Sequence, residues 1–254
     1  MKMSRNLKNR VGEIKYGNYG LMKIIEYNNA GDIKVKFKTG TIKKTTYSKF
    51  EKGQIKDPMF PVVCGIGYIG IGKFKTSING KITTEYKTWS NMIQRCYGTY
   101  MINKRPNYQD VFVCDSWLNF QNFAEWFYKN YYTISGERVE LDKDIIEQNN
   151  KIYSPEFCAF VPQSINTLII KRDNFRGNYP IGVCFHKSID KYMSQISIDG
   201  KRKRLGFFNN TIDAFNAYKK AKEEQIKIMA NKYKGVLNIK VYDSLMDYKV
   251  EITD

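Results

Sequence analysis

Lys191-Tyr-Met-Ser-Gln-Ile-Ser-Ile198 and Lys201-Arg-Lys-Arg-Leu-Gly-Phe-Phe208 are separated by two residues only, Asp199-Gly200. No other stretch of the chain restricts its own fold so tightly. An Asp-Gly pair between two runs of strand formers predicts a two-residue hairpin, because the favoured turns need positive φ at their centre. The two runs become antiparallel neighbours. Tyr179-Pro-Ile-Gly-Val183 opens another strand upstream, and from Thr211 the apolar period changes to that of a helix, with Ala214, Phe215, Ala217, Tyr218 and Ala221 on one face. The helix has one apolar face and the sheet needs one face covered, so the two should pack together. Alternation turns Tyr192, Ser194, Ile196 and Ile198 toward the helix and leaves Met193, Gln195 and Ser197 outward.

Charge narrows the partner. Forty-two Lys and Arg against 25 Asp and Glu give a formal net charge of +17 on 254 residues. Such an excess implies a polyanion, with nucleic acid ahead of an anionic membrane. It is concentrated in two lobes: residues 1–60 carry 14 basic and 5 acidic groups, and residues 173–235 carry 13 and 6. The segment 137–172 is near neutral and 236–254 is mildly acidic. Hydrophobic content of 42% with 15% aromatic excludes a disordered chain. No run approaches 18 consecutive apolar residues, and the chain opens on polar residues rather than a signal segment. Five cysteines without a CxxC pair read as reduced thiols. The expectation is a cytoplasmic protein with no membrane partner.

Within the first lobe, Ile33, Val35 and Phe37 alternate with Lys34, Lys36 and Lys38. That is the period of a half-buried strand with a lysine face, and with Leu21–Tyr27 and Thr41–Phe50 it predicts a small β-barrel of the Src-homology-three-like kind. The three lysines are either a solvated face or a phosphate-facing one. The glycine-rich stretch 60–72 lacks the following helix that a phosphate-cradling loop needs, and reads as a flexible, partly buried linker. Trp89, Met92, Ile93 and Cys96, then Trp117, Phe120, Phe123, Ala124 and Phe127, recur at helical spacing and predict a core rather than a base-stacking platform.

Residues 140–168 read as a strand through Glu-Leu-Asp-Lys-Asp-Ile-Ile, a polar loop 147–151, a second strand Phe157–Val161 and a helix carrying Asn166. This segment resembles the HNH, or ββα-metal, nucleases found among phage homing endonucleases. Trp89-x-x-Met-x-x-Arg-Cys-Tyr and Cys114-x-x-Trp upstream extend the resemblance to about 80 residues. It implies metal-ligand positions at Asp142 and Asn166, and it puts Lys143 where the family has its catalytic histidine. That histidine deprotonates water, which needs a pKa near the working pH. Lysine starts near 10.4, and acidic neighbours at Asp142 and Asp144 favour its charged form. The resemblance therefore implies a scaffold whose catalysis is lost or weak. Mg²⁺ or another divalent metal is its cofactor only where the site still cleaves.

The segment 176–233 is similar to the Apetala-two/ethylene-response-factor (AP-two) DNA-binding domain, through Gly182-Val, Ser194-x-Ile, Leu205-Gly-x-Phe and the alanine-rich helix. Tyr192 and Cys184 depart from that pattern, at positions where the family often has Trp and Arg. The resemblance implies a sheet lying in the major groove with the helix behind it. Arg202 and Arg204 share a face of one strand and suit guanine, and Gln195 suits adenine. Lys187, Lys201 and Lys203 suit phosphates, which position without specifying. His186, the single histidine, suits either the backbone or a base edge.

The expected class is α+β. It comprises an N-terminal small β-barrel (1–58), a central helical and degenerate ββα-metal-like domain (59–172), a C-terminal three-stranded antiparallel sheet packed on one helix (173–235), and an acidic tail (236–254). The expected function is phage-type binding of nucleic acid, duplex DNA before RNA. The alternative, from another class, is a counter-defence or regulatory protein, anti-CRISPR-like, that inhibits a host nucleoprotein defence effector without chemistry.

Overall fold

Met22, Ile24, Ile33, Val35 and Phe37 fall on one side of alternating strands, and all five are buried. They line the first sheet of a computed structural model that describes residues 9–100, 108, 110–169, 178–198 and 200–253. The chain divides into two compact units, residues 1–128 and 129–254, in a mixed α+β fold.

In the first unit, β1 (Ile14–Gly17), β2 (Gly20–Asn29), β3 (Asp32–Phe37) and β4 (Ile42–Thr45) form an antiparallel sheet in sequence order. The barrel expected over 1–58 does not close. β1 and β4 are four residues each and lie at opposite ends of the order. The run Thr41–Phe50 does not continue as strand: the Thr46 side chain accepts from Lys49 N and starts a helical turn, α1 (Tyr47–Glu51). That turn delivers Phe50, 1% exposed, onto the apolar face of the sheet. A helical turn thus covers the face that a closing strand would have covered.

Farther along, Asn79 and Gly80 take positive φ (50° and 75°) and join β5 (Ser77–Ile78) to β6 (Lys81–Ile82). The aromatic run folds as α2 (Thr84–Tyr97), α3 (Asp115–Leu118) and α4 (Phe120–Asn130), the last two interrupted at Asn119. Trp89, Met92, Ile93, Cys96, Trp117, Phe120, Phe123, Ala124 and Phe127 are all buried, as their spacing predicts. Burying a Phe side chain contributes about 1.5–3 kcal/mol, so Phe120 and Phe123 alone are a substantial anchor. Trp89 Nε1 donates to Trp117 O at 2.7 Å, which satisfies the one polar atom the indole brings inside. The glycine-rich stretch 60–72 is tied to this core. Buried Gln121 donates to Ile69 O (3.3 Å) and Phe74 O (3.0 Å) and accepts from Phe74 N (2.9 Å).

In the second unit, β7 (Val139–Asp142) pairs antiparallel with β8 (Ala159–Pro162), followed by α5 (Gln163–Ile169). The second sheet, β9 (Val183–His186), β10 (Lys191–Ile198) and β11 (Lys201–Phe208), carries α6 (Thr211–Lys232) on one face. Gly200 is described in the β10–β11 turn, whereas Asp199 lies outside the described residues, as do residues 170–177 at the expected 172/173 boundary. The Asn210 side chain accepts from Asp213 N and caps α6. Close approach of α6 to the sheet relies on small side chains. Gly182 takes φ +76°, and a Cβ there would stand 2.1 Å from the Tyr218 ring. One core joins Val161 and Ile165 to Ile196, Phe215 and Ile226, and then to Val241, Leu245 and Val250 around α7 (Ile239–Met246). The mildly acidic final segment is therefore packed into this unit.

Candidate nucleic-acid interface and the central loop

Side chains directly opposite one another on antiparallel strands share a face. The register pairs Ser194 with Gly206, then Gln195 with Arg204, Ile196 with Lys203, Ser197 with Arg202 and Ile198 with Lys201. Ser194 and Ile196 are buried against α6, at 0% and 3% exposure. Gln195, Ser197, Arg202 and Arg204 consequently occupy the opposite, outward face, the grouping the alternation predicts. Lys201 and Lys203 share the face of Ile198 and Ile196 and remain exposed. Lys187 sits exposed in the 3-10 turn Lys187–Ile189 that joins β9 to β10.

The register also contains a shift. Ser194 opposes Gly206 while Gln195 opposes Arg204, which leaves Leu205 as an extra residue in β11. This is a β-bulge, and it changes which residues meet. Under strict alternation, Phe207 would lie on the face opposite Arg204. The bulge leaves Leu205 on the core side, turns Gly206 inward opposite Ser194 and brings Phe207 outward beside Met193. Arg204 Cζ then lies 5.1 Å from the Phe207 ring centroid, and the His186 ring meets the same ring edge-on at 5.5 Å. His186 Nδ1 is 3.0 Å from Ser188 Oγ. Phe207 is the residue that sequence reasoning missed, and Gly206 was its signal, because a glycine inside a strand often marks a bulge.

Read across the strands, the outward face forms rows. His186 pairs with Lys191 at one end. Cys184, Met193 and Phe207 make the next row through all three strands, followed by Gln195 with Arg204 and then Ser197 with Arg202. Gln195 Nε2 stands 3.9 Å from Cys184 Sγ. No Asp or Glu occurs in β9, β10 or β11. The face offers two guanidinium forks, an amide, an imidazole and an ammonium, around an apolar row.

On the sheet of the first unit, Lys34 and Lys36 lie opposite the core face, and Lys38 follows β3. Lys34 Nζ is 2.6 Å from Glu26 Oε2, and that contact holds the Glu26 carboxyl below its usual range. Lys36 faces Lys23 on one neighbour and Ile42 on the other.

The central loop is built differently. Asp142 closes β7, and its Oδ1 accepts from Asp144 N (2.8 Å) and Ile145 N (2.7 Å), the bonding of an Asx turn. Burial pushes its carboxyl up, with the Asp144 charge adding to the effect against those two hydrogen bonds. Lys143 is 7% exposed, and its Nζ donates to Asp144 Oδ1 (2.7 Å) and Asn150 O. Asn150 Nδ2 returns hydrogen bonds to Lys143 O (2.8 Å) and Ile152 O (2.7 Å). Lys143 and Asn150 thereby clasp the loop 143–152. Asn166 Nδ2 donates to Glu140 Oε2 at 2.6 Å, one alternation away from Asp142 on β7.

A divalent metal needs several hard donors aimed at one point. Here one oxygen of Asp142 is engaged by two backbone N–H groups and the adjoining residue brings an ammonium. Among the described residues, no three His, Cys, Asp or Glu side chains converge as a metal site would require. These residues do not fit a catalytic dication, and their contacts describe a structural clasp. No family model, no curated protein and no solved structure matches this chain.

Proposed function

We propose that this chain is a nucleic-acid-binding protein that engages duplex DNA through the outward face of β9–β10–β11, with no chemistry at the central loop. The observation that carries the proposal is the gathering of His186, Gln195, Arg202 and Arg204 on one face without a carboxylate among the strands. Arginine and glutamine can each present paired hydrogen bonds to a base edge in the major groove, and a two- or three-stranded ribbon fits that groove. The exposed Lys187 in the β9–β10 turn adds phosphate-binding charge, while Lys201 and Lys203, exposed on the other side of β11, are placed for phosphates only beyond the edge of that face. Descent from an AP-two-like reader and an HNH-like nuclease is part of the same proposal. The engagement of Asp142 and Lys143 within their own loop supports loss of the ancestral cleavage.

Competition binding at fixed salt tests the reading. A bidentate arginine–guanine pair contributes about 1–3 kcal/mol of discrimination, whereas a phosphate contact strengthens all sequences alike. Arg204→Ala should lower the preference for a selected duplex over random duplex, and Lys187→Ala should weaken both together. Equal losses for both variants would make the strand a phosphate clamp. Binding to neither duplex DNA nor RNA would overturn the proposal and move the basic faces to a protein or nucleoprotein partner.

A further inference from the structure

The row Cys184–Met193–Phe207 has no counterpart on a purely polar reading face. These three side chains cross all three strands in register, and the neighbouring rows on both sides carry His186 with Lys191 and Gln195 with Arg204. Phe207 is outward only because Leu205 is bulged, and its ring is held between the Arg204 guanidinium at 5.1 Å and the His186 ring at 5.5 Å, with an interplanar angle of 87° for the latter. A ring restrained by two neighbours loses little freedom on binding. The only apolar group that a DNA base edge presents in the major groove is the 5-methyl of thymine, or of a 5-methylated cytosine.

We infer that Phe207, with Met193 beside it, is a pyrimidine-methyl contact that makes the sheet discriminate thymine from its unmethylated analogue. This rests on the duplex-binding reading of the same face and adds a second kind of specificity to it. Arg204 and Gln195 satisfy hydrogen bonds on the base edges, while the apolar row between them and His186 takes the methyl. The adjacency is chemically consistent. The guanidinium lies near the Phe207 ring and stays hydrated or base-bonded on its outer side, so the row can be desolvated without stranding a polar atom.

The first comparison changes only the DNA, and three protein variants then locate the effect. A duplex selected from a random pool by the full chain is compared with the same duplex carrying deoxyuridine for thymine. Withdrawing one contacted methyl should weaken binding by about fourfold, from the transfer free energy of a single buried methylene-sized group. Phe207→Ala should bind thymine and deoxyuridine duplexes equally, while Phe207→Leu should keep part of the difference. Arg204→Ala should lose its guanine preference and retain the methyl effect. A selected site without thymine, or equal wild-type affinity for the two duplexes, overturns the inference. If Arg204→Ala still reduces specificity in that case, the duplex-binding reading stands without it; absence of binding to every duplex removes both.

Discussion

Asp142 holds a carboxyl whose burial and whose hydrogen bonds act in opposite directions, and burial prevails. A carboxyl raised in the folded state contributes stability that is complete below its unfolded pKa, about 3.9, and is lost as pH rises through the folded value. In its ionised form it costs stability. Asp142→Asn keeps an oxygen for Asp144 N and Ile145 N and removes the charge. Its thermal midpoint should match or exceed that of the wild type at neutral pH, with the advantage shrinking as pH falls toward 4. Asp142→Ala orphans the two backbone donors and should cost about 1–3 kcal/mol in urea unfolding. A metal-ligating Asp142 would behave otherwise, since the Asn variant would then lose a metal-dependent stabilisation. The residue types at 142, 143 and 166 were legible in the chain, and so was their spacing. Their partners were not. Asn150, which holds Lys143, and Glu140, which receives Asn166, are chosen by the closure of the loop and the approach of α5, neither of which is a local property.

The elements divide by the range of the forces that make them. β10, β11 and the start of α6 were readable to the residue, because an Asp-Gly pair, period-2 alternation and an alanine-rich face all act within a few positions. Closure of the first sheet was not, because it depends on β1 meeting β4, 25 or more residues apart in the chain. The bulge at Leu205 lies between these cases: Gly206 hinted at it, yet only the pairing with β10 places it. At this scale the docking of α6 is the most exposed dependency. Gly182→Ala meets both a positive φ and the Tyr218 ring, and should destabilise the second unit by roughly 2–4 kcal/mol from strain and overpacking together. Combining it with Tyr218→Ala in a double-mutant cycle should recover the overpacking part. Strict additivity of the two losses would show that the ring does not limit the approach of the helix.

For the whole molecule, the question is whether one duplex neutralises both basic lobes. The dependence of log K on log salt should fall by about 0.9 for each phosphate neutralised on duplex DNA. Lys34 already has Glu26 as its partner, so Lys36 and Lys38 are the informative positions on the first sheet. Replacing both with Ala should reduce the slope by about 2 if that stripe lies on the same duplex. An unchanged slope would assign every phosphate contact to the second unit and leave the lysine stripe as a solvated face.

His186 is the only histidine among the 254 residues, and its ring lies edge-on to Phe207 on the outward face of β9–β10–β11. The protein therefore carries a single imidazole as a native spectroscopic probe at the proposed interface. In D2O its Hε1 gives the one histidine signal downfield of the other aromatic protons, next to the ring of Phe207, so occupancy of that face can be followed without introducing a fluorophore or altering one side chain.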